Sequence, residues 1–126
     1  MNYLTVEDVL AITARVGYQV RDKGLLASAT ARPKASAFGE DAYPTLALKT
    51  AALIESINRS HPLVDGNKRL SWFCAVVFLR LNGFDLAAET DDAERLIVAV
   101  AAGTVELPVI AEWIEGHAGR FQGDPP

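Results

Sequence analysis

The residues best suited to chemistry lie together in one short run, Ser60-His61-Pro62-Leu63-Val64-Asp65-Gly66-Asn67-Lys68-Arg69. A glycine at 66 permits backbone angles closed to other residues, so the chain can turn sharply there into a helix. The first backbone N–H groups of a helix have no partners inside it, and its dipole adds partial positive charge at the same end. Together these make an anion site. Lys68 and Arg69 bring two full positive charges to that end. Cations are unfavourable at a helix N-terminus, so two in succession point to a bound polyanion.

The neighbouring residues sharpen this. Asp65 precedes the glycine, and a carboxylate among phosphate-binding cations weakens binding unless a divalent cation lies between them. Magnesium is held in that way, by one or two carboxylates plus substrate phosphates. Histidine is the side chain suited to general-base work near neutral pH, which makes His61 the candidate base. Pro62 stiffens the link between base and cradle, and Asn67 can either orient the loop or donate to a phosphate oxygen. Taken singly, each has a plainer reading: a structural histidine, a capping aspartate, two solvated surface cations. Base, carboxylate, glycine, amide and two cations within nine residues suit phosphoryl or nucleotidyl transfer, where catalysis is mostly positioning and charge stabilisation.

The elements that must hold these residues read as helices. Thr5 and Asp8 have capping-box character, apolar residues then follow helical spacing from Val6 to Val16, and Gly17 is a natural stop. A short helix over 25–32 closes at Pro33. Residues 34–43 read as a loop long enough to be a flap or binding loop. Pro44 suits the first turn of a helix that ends near Arg59. The next helix, 67–82, is apolar nearly all round, which places it at the centre of a bundle, and Gly83 ends it. Thr90 caps a helix running to Gly103, and a last one spans 108–116. A short extended piece at 84–86 fits, and the tail 118–126 reads as frayed. The expected architecture is all-α: one domain over 1–126, a six-helix bundle around one central buried helix.

Composition narrows the function classes. A chain of 126 residues with net charge -4 and a pI near 5.1 is an ordinary single domain without the basic face of a nucleic-acid binder. The lone Cys74 cannot form an internal disulfide and reads as a small buried hydrophobe. The N-terminus shows no signal peptide, and the longest apolar run falls far short of the ~20 residues that cross a bilayer. A cytoplasmic protein without a membrane anchor is expected.

The run HPLVDGNKR resembles the signature of the Fic family, H-P-F-x-[D/E]-G-N-G-R-x-x-R, in the variant of its Doc branch, H-x-F-x-D-x-N-K-R. His61, Asp65, Gly66, Asn67 and Arg69 match shared positions, and Lys68 matches the Doc variant. The segments GLLASATARP at 24–33 and FLRLNG at 78–83 are also similar to Doc proteins, so the likeness covers most of the chain. It implies a Fic-type helical bundle with His61 as the base that deprotonates a protein hydroxyl. It also implies Asp65 as the magnesium ligand, and Gly66, Asn67, Lys68 and Arg69 at the phosphates of ATP. Most Fic proteins transfer AMP; the Doc branch phosphorylates a threonine of elongation factor Tu, arresting translation, and is neutralised by a Phd antitoxin whose C-terminal segment folds onto the toxin.

Three departures from the signature bear on the reaction. Lys68 stands where AMP-transferring members have glycine, and Trp72 where they have a final arginine; both favour the kinase. Leu63 replaces the motif phenylalanine but can still anchor the loop. The family's inhibitory helix, [S/T]-x-x-x-E-[G/N], has no match, since Ala111 precedes Glu115-Gly116 at the required spacing. Kinase toxin is the leading expectation. AMP transfer, a non-catalytic antitoxin-binding module and a metal-dependent hydrolase are the alternatives, the last poorly supported by two candidate ligands. Arg59 reads equally as a nucleotide contact or a solvated helix end. Structural readings are preferred for Arg32, His117 and Trp113.

Overall fold

The computed structural model describes residues 1–121. Among them are six α-helices: α1 (Val6–Val16), α2 (Lys23–Ala31), α3 (Leu46–Ser60), α4 (Asn67–Leu81), α5 (Thr90–Ala102) and α6 (Leu107–His117). Four short strands form two antiparallel pairs, β1 (Ser36–Ala37) with β2 (Glu40–Asp41) and β3 (Phe84–Leu86) with β4 (Ala118–Arg120). The class is all-α, as the periodicity predicts. No helix among the described residues is long and apolar enough to cross a membrane.

Local chemistry sets the helix starts. Thr5 and Asp8 form a reciprocal box: the Thr5 hydroxyl accepts from the Asp8 amide at 3.1 Å, and Asp8 Oδ2 accepts from the Thr5 amide at 2.9 Å. Asp22 caps α2 and Thr45 caps α3, accepting from the amides of Leu25 and Leu48. Pro44 therefore lies outside the cap rather than in the first turn of α3, because the Thr45 hydroxyl captures the start. Glu89, not Thr90, is the N-cap of α5; its carbonyl already accepts from the Ala93 amide at 3.0 Å.

The central helix is α3 rather than α4. Helices α2, α4, α5 and α6 all pack against α3, whereas α4 meets α3, α5 and β3. Small residues explain it. Ala47, Thr50, Ala51 and Ala52 are buried and let neighbours approach α3 from several sides, while on α4 Phe73 is 48% exposed and Trp72, Val76 and Val77 are half-buried. Apolarity all round a helix registers what its side chains are, not how closely other helices can reach them. Two apolar clusters flank α3, one including Ile54, Leu79, Ile97 and Ile110, the other Leu53, Ile57, Leu70 and Phe78.

The segment expected as a loop at 34–43 is more ordered. After α2 the chain tightens into a 3-10 turn at Arg32–Lys34 and then forms the β1–β2 hairpin, whose tip residues Phe38 and Gly39 take positive φ of 55° and 81°. A buried lysine holds its base: Lys49 Nζ donates to the Pro33 carbonyl at 3.2 Å and to Asp41 Oδ2 at 3.1 Å. The expected frayed tail is corrected for residues 118–121. Strand β4 pairs with β3, and the Phe121 amide donates to the Gly83 carbonyl at 2.8 Å, which satisfies backbone groups that a loose tail would leave to water. Residues 122–126 lie outside the described residues.

Candidate active site

The last turn of α3 and the first turn of α4 meet across residues 61–66, and this junction is the candidate site. His61 is the C-cap of α3 in the left-handed conformation, φ 53° and ψ 61°. Few residues other than glycine adopt these angles, and here the surroundings impose them. Arg21 donates through Nε to the His61 carbonyl at 2.8 Å and through a terminal nitrogen to the Ser60 carbonyl at 3.0 Å. The Pro62 carbonyl accepts from the Arg21 and Asp22 amides, the Val64 amide donates to the Gln19 carbonyl, and Val20 bridges Leu63. The connector between α1 and α2 is thus a splint along the active loop.

Asn67 supplies the inner support. Its Oδ1 accepts from the Leu63 amide at 2.9 Å and its Nδ2 donates to the Leu63 carbonyl at 3.1 Å, so the buried amide closes the loop on itself. The same Nδ2 lies 3.4 Å from His61 Nδ1, near enough to orient the ring but too long to commit it to one tautomer. Of the two roles read for Asn67, loop orientation occupies its side chain. Its backbone N–H, at the start of α4, is what it can still offer an anion. Leu63 is 1% exposed and anchors the loop as expected of an apolar residue there.

Gly66 is the N-cap of α4 at φ 93°, and no side chain caps that helix. A second reason requires glycine: a Cβ would come within 2.7 Å of the Tyr18 ring. Asp65 folds back so that Oδ1 accepts from the Gly66 amide at 2.9 Å, and its other oxygen has no partner among the described residues. Lys68 and Arg69 are exposed and their side chains make no hydrogen bond or ion pair among the described residues. A hollow of about 380 Å³ is lined by Asn58, His61, Val64, Asp65, Gly66, Asn67, Lys68 and Arg69. His61, Asp65, Gly66, Asn67, Lys68 and Arg69 all border it.

Other candidates find structural places. Arg32 donates to Tyr43 Oη at 2.8 Å, Glu55 at 2.8 Å and Ser56 at 2.9 Å, tying the end of α2 to α3. The Arg59 guanidinium lies against Gly103, the C-cap of α5, where the dipole favours a cation. His117 stacks on Trp113 at 3.8 Å near the end of α6, and Trp113 packs against the apolar cluster on that side. Burial pushes the Cys74 thiol up to about 12, leaving an inert core residue. Sequence reasoning missed Tyr18, Arg21 and Asn58. The first two carried a faint signal, a Tyr-Gln-Val-Arg stretch of extended character between a helix stop and the next cap.

An imidazole beside an uncapped helix start, with a carboxylate oxygen and two cations that have no partner among the described residues, is an arrangement whose chemistry suits a phosphorylated ligand held against a base. The chain belongs to the Fic/DOC family, whose model matches residues 3–79. It is 47% identical over 125 residues to Toxin Doc of Mycolicibacterium smegmatis (strain ATCC 700084 / mc(2)155), covering 95% of this chain and 96% of that protein.

Proposed function

We propose that this protein is the toxin of a toxin–antitoxin pair and transfers the γ-phosphate of ATP to a serine or threonine hydroxyl of a translation factor. Elongation factor Tu is the target that the resemblance implies. The observation that carries the reading is the single hollow in which His61, the free Asp65 oxygen, the open start of α4, Lys68 and Arg69 meet. The name of the Mycolicibacterium relative supports the toxin role. Lys68, standing where AMP-transferring members have glycine, favours transfer of the terminal phosphate.

In this mechanism the acceptor hydroxyl gives its proton to the His61 imidazole as its oxygen bonds the γ-phosphorus. The bond from that phosphorus to the bridging oxygen breaks, and ADP leaves. Backbone N–H groups at the start of α4 and the Lys68 and Arg69 cations hold the phosphate charge, which fixes the line of attack. Arg21 and Asn67 keep the imidazole in place. Asp65 would hold magnesium. The donor set fits an ion shared with phosphate oxygens: one carboxylate oxygen is free, and no cluster of three His, Cys, Asp or Glu exists among the described residues to hold a metal unaided. Magnesium there would neutralise phosphate charge. The partner of this reading is a Phd-like antitoxin whose C-terminal segment folds onto the toxin.

Labelled ATP tests the reaction. With purified protein and elongation factor Tu, label on the γ-phosphate should appear on the target and label on the α-phosphate should not; the reverse result would establish AMP transfer. His61→Ala should abolish both labelling and growth arrest at equal protein level, and undiminished arrest would leave a binding module.

A further inference from the structure

We infer that Asn58 and Ser71 form a buried brace that sets the placement of the phosphate cradle relative to the base. The inference rests on the reading of His61 as base and of the α4 start as cradle. Asn58 lies on α3, three residues before His61, and Ser71 lies on α4, three residues after Lys68. They are 1% and 0% exposed. Asn58 Nδ2 donates to the Ile54 carbonyl at 2.9 Å and to Ser71 Oγ at 2.7 Å, and Ser71 Oγ donates to the Lys68 carbonyl at 2.8 Å. The chain of bonds runs from the last turns of α3 to the first turn of α4 and ends on the backbone of the residue that carries the cradle's lysine.

The pair sits in apolar surroundings. Around it Leu53 and Ile57 of α3 and Leu70 and Cys74 of α4 share one buried apolar cluster. The pair also carries an energetic defect. Both donations fix the orientation of the Asn58 amide, and its Oδ1 is buried with no hydrogen-bond partner among the described residues. An unmet buried acceptor destabilises, whereas an apolar group of similar shape in its place can be neutral or better. Asn58 nonetheless lines the active hollow. A local rule broken beside a site marks a demand of the site rather than of the fold. That demand is geometric: through Ser71 the brace holds the Lys68 carbonyl inward, so that the first amides and cations of α4 stay aimed at the hollow. Asn58 is therefore a positioning residue.

Asn58→Leu and Ser71→Ala test this in the full chain. Asn58→Leu should leave the thermal midpoint level or raise it, while kcat for phosphate transfer falls by about tenfold and KM for ATP moves little. Ser71→Ala should show the same split, the double variant should be no slower than either single one, and Ser71→Thr, which keeps the hydroxyl, should stay near wild type. Hydrogen exchange supplies a readout without catalysis: the Leu70 and Ser71 amides should exchange faster in Asn58→Leu while amides of α1 and α6 do not change. Wild-type kcat in both variants, unchanged exchange, or activity lost only in step with thermal stability would each overturn the brace. A wild-type protein that transfers no phosphate, yet shows the exchange change, would sink the kinase reading and leave the brace standing.

Discussion

Helices α1 and α4 begin in opposite ways. At α1 the protein meets its own needs: Thr5 and Asp8 satisfy each other's amides, and Glu7 and Asp8 put negative charge on the positive end of the dipole. At α4 it does the reverse, with a glycine cap, no side-chain acceptor, no acid in the first turn, and Lys68 and Arg69 where anions belong. Helices α2 and α3 are capped by Asp22 and Thr45 in the manner of α1. Helices α5 and α6 also start without a side-chain cap, but α4 alone sets two cations in its first turn, where the proposed function would bring phosphate. Under the proposed function, charges that are unfavourable at this terminus in the isolated protein become favourable once phosphate is bound.

Emptying the open start of its cations should have the largest effect. Lys68→Ala with Arg69→Ala should lower kcat/KM for ATP by roughly a hundredfold, because two charge-assisted contacts to phosphate are lost. The thermal midpoint of the ligand-free protein should hold level or rise slightly, since two unfavourable charges leave the dipole. A lowered midpoint with intact kinetics would erase the contrast between the two helices. Closing the start by substitution comes next. Gly66→Ala meets both the φ of 93° and the Tyr18 ring at 2.7 Å, and urea titration should show a loss of about 2 kcal/mol. Thr5→Ala strikes the capped helix instead. It should cost about 1 kcal/mol of stability and leave transfer and ATP binding untouched.

The smallest effect follows pH. The backbone N–H and the hydroxyl of Thr5 hold the Asp8 carboxyl below its ordinary value of 3.8. A carboxyl depressed in the native state stabilises it above the unfolded value, and that contribution disappears as pH falls through the native one. Asp8→Asn should therefore lower stability slightly at neutral pH, and its deficit should close in acid, below the ordinary carboxylate range. A deficit that persists at low pH would assign the effect to the lost shape of the box rather than to its charge.

Much of this was legible in the residues. Helix ends at Gly17, Gly83 and Gly103 are local events, written in the residue that must take the left-handed conformation, and the active turn is a contiguous run. What escaped is non-local. Nothing near Lys49 says that its ammonium is buried against Asp41 and the Pro33 carbonyl, because one partner ends the hairpin and the other lies in the 3-10 turn before it. Tyr18 and Arg21 meet the loop across some forty residues of sequence, and their side chains rest on its backbone, which leaves no pattern in the loop's own residues. The mistaken centre at α4 has the same root: hydrophobicity is a property of a segment, whereas centrality depends on the size of the side chains facing every neighbour. The partner of β4 was equally hidden, since three residues pair with three others only after the helices between them have packed.

The buried Lys49 has a consequence for how force travels through the molecule. It fastens the base of the hairpin to α3, and the same helix ends twelve residues later at His61, about 18 Å along its axis. The hairpin is a cantilever clamped at its root, with Phe38 as its free end. One unbroken helix thus joins the hairpin root to the backbone of His61, so the spacing between them is set by the helical rise and not by the turn at 61–66.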